Sequence, residues 1–221
     1  MKIGIFTPTA SRPYHIRATA LQFNAQTRLP DLVCFHQNNI NGRKSYEKFI
    51  RDLDLKYDYH WMLTDRPVSV EERYFLPAKY LLDNGCDYMF YCDDDDVYYS
   101  DHIEKSIDIL ESKKCDLLIR NHCDVMKFDG DMYDYSEKCF FTSHANSGVS
   151  SSMVFSKRFA EHFIQDCIDN MHQRSIGGHS LNHCDEIINW VTANKFIKYV
   201  SEDTTMCYVV HRYSSTSSGW L

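Results

Sequence analysis

Tyr88-Met-Phe-Tyr-Cys-Asp-Asp-Asp-Asp-Val-Tyr-Tyr-Ser-Asp101 is the stretch whose reading decides the fold. An apolar run, residues 88–92, ends in four consecutive aspartates, Asp93 to Asp96, and a second apolar patch, residues 97–99, follows at once. Four adjacent carboxylates repel one another, and burying even one unpaired is costly. An acidic tail would carry them in water at little cost, but this run lies mid-chain with aromatics on both sides. A divalent cation bound by hard oxygen ligands is the natural partner for carboxylates so placed. A solvated acidic turn is the alternative. Open α/β sheets gather ligands at the carboxyl ends of their strands, which is where these residues fall if 88–92 is a strand.

Upstream of the quartet the pattern alternates. Residues 2–6 read as a buried strand, ended by the loop Thr7-Pro-Thr-Ala-Ser-Arg-Pro13. Residues 14–27 carry apolar positions at helical spacing until Pro30-Asp31. A second strand is expected over 32–36, a loop over 37–42, a helix over 45–53 and a third strand over 59–63, ended by residues 64–67. A helix over 70–83 has Ser69 as N-cap, Glu71 and Glu72 in its first turn, and Asn84-Gly85 to stop it. Pro77 inside it predicts a kink or a late start.

Downstream, residues 102–113 predict an amphipathic helix and 116–121 a strand. Residues 125–142 suit short strands or a hairpin, and 143–152 form a small-polar loop leading into a strand over 153–155. A helix over 158–171, a loop over 173–183, a helix over 185–193 and strands over 196–200 and 207–210 complete the chain. The tail, 211–221, is mobile by composition. Strands alternating with helices predict an α/β fold: a mostly parallel central sheet flanked by helices.

The 221 residues suffice for one sizeable domain, with no repeat, linker or internal boundary in view. A net charge of -7 argues against a general nucleic-acid binder and against a polybasic membrane-surface protein. No apolar run approaches the roughly 20 residues of a membrane span. The first residues are too soon interrupted for a signal peptide. Nine cysteines, an odd number with no CxxC pair, read most simply as the reduced thiols of a cytoplasmic protein. His122-Cys123 and His183-Cys184 lack the spacings of a zinc site.

With these residues in hand, the chain resembles the GT-A glycosyltransferases, especially the family-2-like bacterial sugar transferases. The likeness runs over most of the chain. The first strand with Thr7-Pro-Thr-Ala-Ser-Arg12 resembles the family's donor-binding loop. Asp93-Asp-Asp-Asp96 resembles its DXD metal motif, Asp185-Glu186 with Trp190 its late acidic motif, and His211 after Cys207-Tyr-Val-Val its late histidine. A short acidic run alone is a weak signal, but the order of the four along a β-α chain strengthens the set.

The resemblance implies one GT-A-like domain over 1–221, with a Rossmann-like nucleotide-sugar half (1–99) and an acceptor and catalytic half (100–221). It implies a metal-dependent, inverting glycosyltransferase of glycan or polysaccharide synthesis. The donor is a nucleotide-diphosphate sugar, the cofactor Mn²⁺ or Mg²⁺, and the acceptor a saccharide or lipid-linked saccharide. Peripheral membrane contact is compatible with that acceptor. Expulsion of a diphosphate calls for a Lewis acid, and an acceptor hydroxyl for a general base.

Within that frame Asp93, Asp95 and His211 are the metal candidates, in preference to the register Asp94 with Asp96. Asp93 also faces the donor, and Asp94 the sugar. Asp185, at the helix entry, is the candidate base, with Glu186 as the alternative, since this sequence runs Asp-Glu where the family's motif more often runs Glu-Asp. The bare alternative is a helix cap. Thr7, Thr9, Arg12, Asn38, Arg73 and Arg212 are candidates for base and phosphates, with Asn39, Lys79 and Ser147-Gly148 behind them. The rival enzyme is a sugar-phosphate nucleotidyltransferase. It is disfavoured because residues 7–13 hold no glycine and one arginine. The rival from another class is a non-catalytic metal-binding scaffold, and the EF-hand spacing is missing after Asp93.

Overall fold

Strand β1 (Ile3–Thr9) is flanked on one side by β2 (Leu32–Asn38) and on the other by β4 (Tyr88–Tyr91), both parallel to it. The structure is a computed structural model. It describes residues 1–9, 13–38, 45–66, 68, 70–120, 124–127, 140–143, 152–176 and 196–210. Strand β3 (Asp58–Thr64) extends the sheet past β2. Beyond β4 lie β9 (Val154–Ser156), β6 (Leu117–Arg120) and β10 (Lys198–Ser201). The order is β10-β6-β9-β4-β1-β2-β3, seven described strands, with β9 antiparallel to both its neighbours and the other pairings parallel. The expected mostly parallel α/β sheet is therefore present.

Both faces of the sheet are covered, as parallel strands require. Along β1, Ile3 and Ile5 point to one face and Phe6 to the other; along β4, Phe90 and Met89 with Tyr91 divide in the same way. The first face packs on α1 (Pro13–Asn24) through Ile16, Ala20 and Phe23, and on α3 (His102–Lys113) through Ile103, Ile107 and Leu110. The second packs on α2 (Val70–Asp83) through Phe75, Ala78 and Leu81, and on α4 (Lys157–Ile176) through Phe159, Ala160 and Phe163. The helix spacing of i, i+3, i+4 and the strand alternation of two are the periods that create these faces.

Close packing explains Gly4. A Cβ there would meet Cys86 Sγ and Leu81 Cδ1, each at 2.9 Å, so a larger residue would make these side chains shift. Gly85, with φ of +77°, ends α2 in the left-handed conformation, and the Cys86 N–H returns to the Leu81 carbonyl at 3.1 Å.

A second sheet of four described strands has the order β5-β11-β7-β8. It contains β5 (Val97–Tyr98), β7 (Asp124–Lys127), β8 (Phe140–Ser143) and β11 (Met206–Val210). The antiparallel β7–β8 pair matches the short strands expected within 125–142.

Two local expectations are corrected. The helix expected over 45–53 is a single 3-10 turn, Glu47–Phe49. Arg17 takes the Phe49 carbonyl at 2.8 Å, and past the segment Asn24 takes the Asp54 carbonyl at 2.7 Å and the Lys56 N–H at 2.9 Å. β1 also runs on to Thr9, through residues expected to be loop. Its pairing with β4 ends at Phe6–Tyr91, so β1 has an open edge beyond that point. Pro8 is tolerated there because its missing N–H breaks no ladder.

Candidate functional site

The parallel strands bring the C-terminal ends of β1, β2, β3 and β4 to one edge of the sheet. Registers Thr9–Gln37 and Asn38–Thr64 set the first three side by side, and the Cys92 N–H on the Phe6 carbonyl at 3.1 Å brings the aspartates alongside.

At this edge, among the described residues, four side chains of the β1, β2 and α2 region are buried or half-buried and carry polar atoms with no hydrogen-bond partner there. They are Thr7 and Thr9 through Oγ1, Asn38 through Oδ1 and Nδ2, and Arg73 through Nε. Buried polar atoms are nearly always paired, so a group of orphans on one edge marks a surface built for something else to complete. Deeper down, the His36 ring does find partners. Its Nδ1 lies 3.3 Å from the Arg73 carbonyl and its Nε2 3.2 Å from Thr64 Oγ1. A carbonyl only accepts, so Nδ1 carries the proton; burial lowers the pKa and leaves the ring neutral, with Nε2 accepting from Thr64. This bond ties α2 to the end of β2. Arg66 forks onto Glu72, which closes the first turn of α2.

The four aspartates divide. Asp94 and Asp96 are 1% and 2% exposed, whereas Asp93 and Asp95 are half-buried. Helix α1 holds the turn from beneath: Thr19 Oγ1 donates to the Asp94 carbonyl at 2.9 Å, and the Tyr98 N–H donates to Gln22 Oε1 at 2.7 Å. The Asp96 carboxylate accepts the Val209 N–H at 3.0 Å and so anchors β11. Above, Tyr91 Oη donates to Asp93 Oδ1, and the Tyr74 hydroxyl lies 3.2 Å from that of Tyr91. Burial pushes the Cys92 thiol and the Tyr98 phenol well up, the nearby aspartates adding to the effect, so both stay neutral.

At the end of β6, Arg120 is fully buried and its guanidinium has no hydrogen-bond partner among the described residues. Desolvation pulls its pKa down to about 10 against the pull of Asp203 and Asp101.

Of the candidates named from sequence, the structure brings Thr7, Thr9, Asn38, Arg73, Asp93, Asp94 and Asp95 to this edge. Lys79 is instead paired with Asp83 at 2.7 Å on the solvent face of α2. Arg12, Asn39, Ser147-Gly148, Asp185, Glu186, His211 and Arg212 lie outside the described residues, as do His122-Cys123 and His183-Cys184. β11 ends at Val210, the residue before His211. Among the described residues no group of three or more His, Cys, Asp and Glu side chains is placed to hold a metal ion.

Sequence reading missed Tyr74, Tyr91, Thr19 and Gln22. A signal existed for two of them. Tyr91 lies two residues before Asp93, the spacing that sets side chains on one side of an extended chain, and Thr19 interrupts the apolar face of α1 between Ile16, Ala20 and Phe23.

No protein-family model and no curated protein matches the sequence. Solved structures do match in fold. The chain superposes on residues 1–349 of S. aureus TarS in complex with UDP-GlcNAc with a TM-score of 0.64 at 11% identity, covering 100% of this chain and 62% of that one. With the UDP complex the TM-score is 0.63 at 13% identity, covering 95% and 61%. The fold is GT-A-like. HddC from Yersinia pseudotuberculosis matches with a TM-score of 0.54 at 11% identity, covering 92% of this chain and 91% of that one. The chain thus spans less than two thirds of the TarS piece it matches. Among the described residues, no helix is long and apolar enough to cross a membrane.

Proposed function

We propose that the chain is a glycosyltransferase that moves a sugar from a nucleotide-diphosphate sugar to a hydroxyl of a saccharide or lipid-linked saccharide, with Mn²⁺ or Mg²⁺ and with inversion. The observation that carries this reading is one sheet edge. There the orphaned polar atoms of Thr7, Thr9, Asn38 and Arg73 stand beside a turn with two half-open carboxylates, Asp93 and Asp95. TarS, of like fold, is described with UDP and UDP-GlcNAc, which supports a nucleotide-sugar donor.

The residues fit the ion. Mg²⁺ and Mn²⁺ take one or two protein carboxylates and complete their shells with water and substrate phosphates, so a full protein cage is not required. Asp93 and Asp95 would hold it, with His211 as a further ligand. A bound divalent ion would offset the charge that develops on the leaving diphosphate. In this reading Thr7, Thr9 and Asn38 complete their hydrogen bonds on base and ribose, and Arg12, Arg73 and Arg212 attend the phosphates. Asp94, its carboxylate turned inward, meets the donor sugar through the turn backbone. Asp185, with Glu186 behind it, takes the acceptor proton.

Incubation with UDP-, GDP- and TDP-linked sugars and Mn²⁺ tests the proposal. Slow release of nucleoside diphosphate supports it. Formation of pyrophosphate from a nucleoside triphosphate and a sugar phosphate would replace it with nucleotidyl transfer. Neither reaction, with no nucleotide bound, would leave a scaffold.

A further inference from the structure

Tyr91 is 2% exposed, so its hydroxyl has lost water and must find a partner in the protein. That partner is Asp93 Oδ1. An ionised carboxylate only accepts, so Tyr91 donates its one proton there and its oxygen is left to accept. The Tyr74 hydroxyl, 3.2 Å away, is then the donor to Tyr91. The hydrogen bonds run in one direction, from Tyr74 through Tyr91 to Asp93, and bonds in such a chain polarise and strengthen one another.

The rings that carry this chain are fixed. Tyr91 leans on Phe6, its register partner in β1, at 5.4 Å between centroids, and meets Tyr74 edge-on at 4.8 Å and 78°. Neither contact involves the aspartates. The core therefore sets the phenol, and the phenol donates to the carboxylate. Tyr74 follows Arg73, whose carbonyl is held by His36. One turn of α2 is thus joined to the end of β2 and to the first aspartate of the quartet.

We propose that Tyr91 and Tyr74 are positioning residues: a hydroxyl relay from α2 through β4 that fixes the Asp93 carboxylate for cation binding. The proposal rests on the reading of Asp93 and Asp95 as metal ligands. Groups behind a metal ligand typically change metal affinity about 10- to 100-fold when removed.

The test uses the full chain and Mn²⁺ alone, with free Mn²⁺ read by electron paramagnetic resonance and folding read by thermal melting. Tyr91→Phe deletes one oxygen and keeps the ring. It should raise the Mn²⁺ concentration at half-saturation by about 10-fold. Tyr74→Phe, at a half-buried site, should raise it less. In a relay the contribution of Tyr74 reaches Asp93 by way of Tyr91, so the double variant should equal Tyr91→Phe. Independent contributions from the two tyrosines, or wild-type affinity in Tyr91→Phe, overturn the relay while leaving the metal site standing. Should Tyr91→Phe not fold, wild-type affinity in Tyr74→Phe overturns it equally. Mn²⁺ binding absent from the wild type both alone and with UDP present, or left unchanged by Asp95→Ala, overturns the metal reading and the relay with it.

Discussion

A carboxylate oxygen of Asp96 accepts the backbone N–H of Val209 at 3.0 Å, across 113 residues of sequence. The bond joins the last aspartate of the quartet to β11, the strand that pairs with β5 just past the quartet. It divides the labour within four identical residues. Asp96 faces inward and holds two parts of the chain together, while Asp93 and Asp95 stay half open at the sheet edge.

Asp96→Ala should therefore act on stability. It strips a buried N–H of its acceptor, which costs about 1–3 kcal/mol. Asp95→Ala should leave the melting temperature nearly unchanged and weaken Mn²⁺-dependent nucleotide binding. Thermal melts and Mn²⁺ titrations of both variants check this. Equal destabilisation by the two would remove the division.

Thr7→Val and Thr9→Val keep shape and delete a hydroxyl that has no partner among the described residues. Neither should lower the melting temperature, because no internal hydrogen bond is lost. Each should weaken nucleotide binding by about 0.5–1.5 kcal/mol, the net value of one hydrogen bond. Calorimetric titration with UDP and GDP reads the loss. A fall in stability with no change in binding would make these ordinary core threonines.

Asp116 is a structural centre away from the site. Its carboxylate accepts Ser156 Oγ and Arg158 Nε at 3.0 Å each and the Ile197 N–H at 3.2 Å. Burial alone would raise its pKa, but these bonds, led by Arg158, hold it below the usual carboxylate value. A folded pKa below the unfolded one gives stability that is present above the unfolded pKa, about 3.9, and lost as pH falls through the folded pKa. The gap in melting temperature between wild type and Asp116→Asn should stay constant from about pH 7 to pH 5 and narrow below about pH 4. A gap that does not narrow on acidification would contradict the ionised hub.

Asp185→Asn keeps size but cannot take a proton. If Asp185 is the base, kcat should fall by about 10²- to 10⁴-fold while donor affinity stays nearly constant. If Glu186 is the base, the loss appears in Glu186→Gln instead. Near wild-type turnover in both variants would reduce the pair to a helix start.

Much of the architecture was legible in the chain. The helix expected over 102–113 is α3, residue for residue, and that over 70–83 is α2, because strong apolar periodicity and flanking turn residues are local signals. The segment 45–53 misled for the opposite reason. Its apolar spacing suits a helix, but Arg17 reaches across from α1 and takes the Phe49 carbonyl. Asp93 to Asp96 were conspicuous at once, while Tyr74 looked like any helix aromatic until the fold set its hydroxyl beside Tyr91.

The sequence by itself determined the repeating strands and helices, the two-sided burial of the central strands and the placement of the aspartates at a strand end. All are periodic or positional properties written within a few residues. Only the tertiary structure decided that β9 enters the sheet antiparallel, that β5, β7, β8 and β11 form a second sheet, and that the quartet splits into buried and half-open members. Those outcomes depend on hydrogen bonds between residues tens to over a hundred positions apart, such as Thr19 with Asp94 and Asp96 with Val209. Four aspartates of one chemistry carry no mark of which will face inward; the backbone donors that meet them in the folded chain make the choice.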